Sequence, residues 1–357
     1  MKHPETLGAL KKSGYRPLTV KQELRKNISE LLRKGIPAFP GIFGYENTVI
    51  PQVERAILAG HNINFLGLRG QAKTKMARLM VNLLDEYIPI IAGSELQEDP
   101  LNPITRTSLA LVQEAGDDLP IAWVHRSERY TEKLATPDVS VADLIGDVDP
   151  IKASNLKLSF SDPEVIHFGL IPRANRGIFV INELPDLQAR IQVSLLNMLQ
   201  EGDIQIRGFK LRLPLDIAFV FTANPEDYTH RGSIITPLKD RIESQILTHY
   251  PESIEDSKKI TDSESRIPEG ASERIELSDL LGDLIEQVAL EGRRSEYVDA
   301  KSGVSARLTI TARELVMASA EWRMIRNGEE KTAVRITDLA GIIPAVNGKV
   351  ELVYEGD

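Results

Sequence analysis

The sequence predicts an α/β fold, a mostly parallel sheet flanked by helices and followed by a small helical domain, on three observations. Short apolar runs at 62–66, 88–92, 120–124, 177–181 and 217–223 alternate with stretches of helical or irregular spacing, the pattern of strands covered on both faces. The first of these runs ends at Gly67 and passes through a glycine-bearing turn into a helix starting near Lys73, MARLMVNLLDEY. After Tyr250 the composition turns polar, and then three helical segments follow: LSDLLGDLIEQVALEG, ARELVMASAEWRMIRNG and ITDLAGIIPAV.

At the N-terminus, VKQELRKNISELLRK (20–34) sets Leu24, Ile28, Leu31 and Leu32 on one helical face before PAFPGIFGYEN breaks the pattern. A second amphipathic stretch, 49–58, precedes the first strand. Between Thr136 and Arg176 lies an insertion-like segment: a short helix in VADLIGDV, then LKLSF and VIHFGLI, which alternate like a hairpin. A second hairpin is expected at 204–213 with Gly208 at its turn. The polar run 251–276 reads as a linker or exposed helix. The closing KVELVYEGD resembles the start of a strand, so a longer natural chain is an open expectation.

Composition narrows the function. With 357 residues, 42% hydrophobic and 27% charged, the chain can bury one large core or two moderate ones, and two domains are expected. The absence of cysteine excludes disulfides, thiolate nucleophiles and zinc ribbons, and the six histidines are too scattered for a metal motif. A net charge of -9 argues against a protein built to neutralise a phosphate backbone, so nucleic acid is not expected as a partner. No apolar run approaches the roughly 20 residues of a membrane helix, and the N-terminus lacks a signal region; no membrane insertion and a cytoplasmic location are expected.

Three segments carry chemistry. Gly67-Leu68-Arg69-Gly70-Gln71-Ala72-Lys73-Thr74 offers small residues whose N–H groups can wrap phosphates, a lysine for their β and γ oxygens, and a hydroxyl for Mg²⁺. Ala72 stands where such loops carry glycine; if that position needs positive φ, alanine costs about 1 kcal/mol there. Gly177 to Ile181 is a buried-strand run ending in Asn182-Glu183. Glu183 can polarise water, whereas Asn182 accepts hydrogen bonds without bringing the negative charge of an aspartate, which predicts weaker Mg²⁺ binding. Phe219 to Ala223 ends in Asn224-Pro225, where the amide either orients a water or simply makes an Asn-Pro turn.

The ordered set GLRGQAKT, GIFVINEL, FTANPEDY and ITPLKDRI resembles the AAA+ superfamily, and within it the helix-2-insert clade of magnesium chelatase ATPase (I) subunits and MoxR-type ATPases. KLATPDVSVADLIGDVDP, followed by GLIPRANRG, is similar to that clade's helix-2 insertion. The resemblance covers residues 39–250 well and the helical remainder more loosely. It implies a P-loop AAA+ core with a parallel central sheet, and a small C-terminal helical lid domain. The division expected is an N-terminal helical extension at 1–38, a nucleotide-binding core at 39–252 with its insertion near 136–176, and a linker and lid at 253–357.

Carried onto matching positions, the resemblance implies ATP and Mg²⁺ as ligands. Gly67, Gly70, Gln71, Ala72, Lys73 and Thr74 would hold the phosphates, Thr74 and Asn182 the metal, Glu183 would be the base and Asn224 the first sensor. Arg241 would be an arginine finger entering a neighbour's site, with a surface salt bridge to Asp240 or Glu243 as the alternative. Arg307, or else Arg313, resembles the second sensor. Ile42, Phe43 and Gly44 correspond to the adenine-contacting turn, although an apolar core turn would look the same. A finger supplied between subunits implies a ring, a hexamer in this family, driving a von Willebrand A-type partner as a chelatase subunit or a MoxR-like chaperone does. A nucleotide-gated scaffold with little hydrolysis is a distinct reading, motivated by Ala72 and Asn182. An enhancer-binding activator is disfavoured because no GAFTGA loop is present. Slow hydrolysis is expected, and Ala72→Gly and Asn182→Asp are each expected to speed it.

Overall fold

β1 (Ile63–Leu66), β2 (Tyr130–Leu134), β3 (Gly177–Asn182), β4 (Ile217–Ala223) and β5 (Ser244–Leu247) form one sheet, ordered β5-β1-β4-β3-β2 and parallel throughout. The computed structural model describes residues 3–159, 162–206, 212–225, 232–299, 304–347, 350–351 and 353. β3 and β4 are buried at every position, which explains why both read as continuous apolar runs rather than alternating ones. Successive side chains go to opposite faces. Phe65, Ile178, Val180 and Val220 pack with α1 (Val20–Lys34), α2 (Val49–Ala59) and α3 (Lys73–Leu79). Phe179, Ile181, Phe219 and Phe221 pack on the other face against Ile191, Leu195 and Met198. Removing a wholly buried ring such as Phe65 from water contributes about 2 kcal/mol.

α1 has the predicted bounds for a local reason. Thr19 accepts a hydrogen bond from the Gln22 N–H while the Gln22 side chain accepts from the Thr19 N–H, and Gly35 closes the other end at φ 65°. Leu24 and Ile28 are buried, whereas Leu32 lies at the exposed margin. Glu23, on the same face, forms a buried bidentate pair with Arg129 at 2.7 Å, tying the helix to the residue before β2.

Two expectations need correction. The apolar runs at 88–92 and 120–124 do not join the parallel sheet: Tyr87–Ile91 and Ile121–His125 pair with each other as a separate antiparallel ribbon. The N-terminal segment lies along it, with the Trp123 indole donating to Pro4 O at 2.8 Å. The sheet's edges are taken instead by YTEKL (130–134) and SQIL (244–247), too polar to stand out as buried strands. In the insertion-like segment the short helix Val141–Leu144 forms, but Ile166–Phe168 pairs with Gly146–Val148 rather than with LKLSF. The second hairpin pairs Asp203–Gln205 with Arg212–Pro214, and its Gly208 turn lies outside the described residues.

Beyond β5, the stretch expected as a linker or exposed helix contains α4 (Ile254–Glu264) and also the strand Ile275–Glu276, which pairs with Thr332–Ala333. α5 (Asp279–Arg294) and α6 (Arg307–Asn327) form a further core around Ile285, Ala312, Val316 and Ala320. Most of KVELVYEGD lies outside the described residues. Among the described residues no helix is long and apolar enough to cross a membrane.

Asp216, just before β4, accepts a hydrogen bond from the Val20 N–H at 2.8 Å and so joins sheet to α1. Burial pushes its carboxyl from the ordinary 3.8 up to about 6. Because the folded chain holds this proton more tightly than the unfolded chain, the group destabilises the fold above pH 6, and that penalty is relieved as pH falls from 6 toward 4. A shift of this size corresponds to at most about 3 kcal/mol. Asp216→Asn retains an acceptor for Val20. It should raise the unfolding free energy in denaturant titrations at pH 7.5 and change it little at pH 4; an equal change at both would contradict the assignment.

Candidate functional site

On the face that carries α3, polar residues gather toward the carboxyl ends of the strands: Glu132 midway along β2, Asn182 ending β3, Thr222 near the end of β4 and Thr248 just past β5. Here, at the carboxyl ends of the strands, an open parallel sheet offers a crevice. Three of these residues, Glu132, Asn182 and Thr222, are hydrogen-bonded to one another. Asn182 Oδ1 accepts from Thr74 Oγ1 at 3.3 Å and Thr222 Oγ1 at 3.1 Å, and Asn182 Nδ2 donates to Glu132 Oε1 at 2.6 Å. Thr222 Oγ1 also accepts from the Glu183 N–H at 3.1 Å, fixing the backbone of a residue held at φ 55°. Burial pushes the Glu132 carboxyl up, but hydrogen bonds from Arg78 and Tyr130 outweigh this and hold it below the usual range.

The loop from Gly67 to Thr74 wraps over these tips. A Cβ on Gly67 would lie 2.0 Å from Thr248 Oγ1 and 2.2 Å from Gln71 Oε1, so the packing excludes one. Gly70 sits at φ 75°, and a Cβ there would lie 1.9 Å from Ser305 Oγ, on the segment leading into α6. The Gln71 side chain is tied to Thr248 at 2.7 Å, and its carbonyl accepts from the buried Tyr45 hydroxyl at 3.0 Å. Lys73, 7% exposed, donates its ammonium to the carbonyls of Gly67 and Leu68. Ala72 caps α3 at φ 56° and ψ 13°, the left-handed conformation that glycine adopts without cost.

A cleft of about 1060 Å³ opens beside this loop. Its wall brings together Gly70 to Thr74, Glu183, Ile42, Phe43 and Arg307, which the sequence scatters over more than half its length. The residues fit a nucleoside triphosphate with its metal. A loop that tolerates no Cβ at Gly67 lets backbone approach phosphate closely, a buried ammonium stands ready, and the Thr74 hydroxyl and Asn182 amide oxygen are the hard donors that Mg²⁺ prefers.

The Sigma-54 interaction domain family matches residues 155–246, from the segment before β3 into β5. The magnesium-chelatase 38 kDa subunit of Cereibacter sphaeroides is 26% identical over 228 residues, covering 63% of this chain and 62% of that protein. The chain therefore spans about three fifths of that relative's length. The hydrogenase transcriptional regulatory protein HoxA of Cupriavidus necator is 32% identical over 87 residues, 24% of this chain and 18% of that one. Among solved structures, a chain from the complex between subunits BchI and BchD of magnesium chelatase aligns with TM-score 0.41 and 20% identity, over 94% of this chain and 97% of that chain. The Sigma-54 interaction match covers β3, β4 and most of β5 of the central sheet. Over these segments the chain resembles AAA+ proteins.

The AAA+ site residues foreseen from sequence do not all meet at the cleft. Asn224 is buried immediately after β4, Asn182 lies beneath the wall, and Gly44, at φ 77°, faces Asp256 rather than the opening. Arg241 lies elsewhere, pairing with neither Asp240 nor Glu243: it donates to Gln200 Oε1 at 2.8 and 3.0 Å and to Pro237 O at 2.9 Å. Of the two second-sensor candidates, Arg307 lines the cleft, whereas Arg313 pairs with Asp262. Sequence reasoning missed Glu132, Thr222, Arg78 and Arg266. Thr222 was within reach as the polar residue inside FVFTAN; Glu132 was hidden because its strand was not recognised.

Alanine at a left-handed position costs about 1 kcal/mol relative to glycine even after the extra freedom of an unfolded glycine is counted. Ala72→Gly should therefore raise the free energy of unfolding by about that amount in urea titration. A neutral or negative change would show that the φ of 56° is relaxed in solution.

Proposed function

We propose that this chain binds and hydrolyses Mg·ATP. The observation that carries the reading is the convergence of the Lys73 loop, Glu183, the Ile42–Phe43 turn and Arg307 on one cleft. Lys73 transfers its hydrogen bonds from the Gly67 and Leu68 carbonyls to phosphate oxygens, so part of the binding energy goes into releasing the loop. The Ile42 and Phe43 side of the cleft suits a base, and Arg307, at the start of α6, can report on the terminal phosphate to the helical C-terminal unit. Bound Mg²⁺ supplies neutralisation of charge on the phosphate oxygens. Thr74, oriented by its hydrogen bond to Asn182, would hold that ion, and Glu183 would accept a proton from the attacking water.

Arg241, half-buried and held by Gln200 away from its own cleft, suits a finger offered to a neighbouring subunit, which supports a homo-oligomeric ring, a hexamer. Likeness to the magnesium-chelatase subunit supports a role as the ATPase of a chelatase-like complex. A MoxR-like chaperone acting on a von Willebrand A-type partner would use the same residues. The left-handed Ala72 and the neutral Asn182 favour a second reading, a nucleotide-gated scaffold with little turnover.

Phosphate release at saturating Mg²⁺ separates the two. Glu183→Gln should lower turnover about 100-fold or more while nucleotide still binds, and Lys73→Ala should abolish both. Turnover indistinguishable between wild type and Glu183→Gln would sink the hydrolytic reading and leave the scaffold. For the ring, mixing Glu183→Gln subunits with Arg241→Ala subunits should restore part of the activity each lacks, because some interfaces then join an intact base to an intact finger. No gain on mixing would place Arg241 outside the site.

A further inference from the structure

Two carboxylates on the cleft wall, Glu132 and Glu183, stand near the Thr74–Asn182 pair, while Glu264 is engaged by Lys75 across the opening. Glu132 sits on edge strand β2, in register with Val180 and on the same face as Asn182. Its Oε1 accepts from Asn182 Nδ2 at 2.6 Å and from the Arg78 guanidinium at 3.1 Å; its Oε2 accepts from Arg78 Nε and the Tyr130 hydroxyl, both at 2.9 Å. The orientation of the Asn182 amide is thereby fixed: Nδ2 points to Glu132, and Oδ1 to Thr74 and Thr222. An aspartate at 182 would lack that N–H and would set two carboxylates at hydrogen-bond distance, where one is driven to protonate. Asn182 and Glu132 together thus carry the single negative charge that a strand-tip aspartate would carry alone.

We propose that Glu132 supplies the negative charge of the metal site, so that the charge missing at Asn182 has moved one strand outward rather than been lost. This rests on the cleft being a Mg·nucleotide site, and it revises the expectation drawn from sequence for Asn182→Asp. With Glu132 intact, a second carboxylate brings repulsion instead of a gain. The competing role for Glu132 is purely structural, as the anchor of Arg78.

The experiment is Mn²⁺ titration of the full chain with ATP, followed by the loss of the free-ion paramagnetic resonance signal, with melting curves taken without metal as a folding control. Glu132→Gln should weaken Mn²⁺ binding about tenfold to a hundredfold. Asn182→Asp alone should not strengthen it. The exchange Glu132→Gln with Asn182→Asp, which restores one charge to the pair, should return the affinity to within a few-fold of wild type, and this variant keeps the test decisive should Glu132→Gln alone not fold. Arg78→Ala, which unmasks the carboxylate, should bind Mn²⁺ as tightly as wild type or more so. Wild-type metal affinity in Glu132→Gln, no recovery in the exchanged pair, or an equal loss in Arg78→Ala would overturn the proposal. ATP binding that is absent or insensitive to Lys73→Ala would instead fell the cleft reading itself, and the proposal with it.

Discussion

A strand buried on both faces can present polar groups only at its end, and β3 is such a strand, apolar from Gly177 through Ile181 and polar at Asn182. Placed between β4 and β2, it cannot shift register without carrying Asn182 into the core or drawing Phe179 and Ile181 out of it. The hydrogen bonds at Asn182 are therefore positioned by hydrophobic packing further back along the strand. Thr74 reaches it from α3, Thr222 from β4 and Glu132 from β2, so three elements meet at one amide. Buried polar contacts of this kind are favourable only when every member is satisfied, and the apolar interior of β3 leaves few arrangements that satisfy them.

The same loop that closes over the strand tips also contacts the helical C-terminal part. Gly70 abuts Ser305, Lys75 bridges Gly41 O and Glu264, and the Arg293 guanidinium stacks over the Tyr250 ring at 4.6 Å, while Tyr250 itself donates to Arg69 O. These contacts surround the cleft and bring Arg307 to it. A change in what Lys73 holds would be felt first in the loop carbonyls of Gly67 and Leu68, and then in residues that touch α4 and α6. Coupling between the cleft and the C-terminal helices needs no longer path than this.

What was legible in the sequence follows a physical division. α1, α2, β1, β3, β4, α5 and α6 are visible because their apolar residues repeat at their own period or run unbroken through the core, and local caps such as Thr19 and Gly35 mark their ends. The edge strands β2 and β5 escape because an edge strand is half-solvated and has no such signature. The antiparallel ribbon of 87–91 and 121–125 misleads for the opposite reason: it is apolar enough to imitate core strands, although it packs against the N-terminal segment instead. Ile166–Phe168 takes a partner other than LKLSF because alternation specifies a strand's faces and not its neighbour.

The candidate site divides in the same way. The sequence by itself determined the glycine-bearing loop ahead of α3, with Lys73 and Thr74 in order, the strand ending in Asn182-Glu183, and the presence of an alanine where glycine would be relaxed, since each depends on residues adjacent in the chain. Only the tertiary structure decided that Arg307 rather than Arg313 lines the cleft, that Arg241 turns to Gln200, and that Glu132 stands against Asn182. These are contacts between segments tens of residues or more apart, set by how the sheet orders its strands, and no local pattern encodes them.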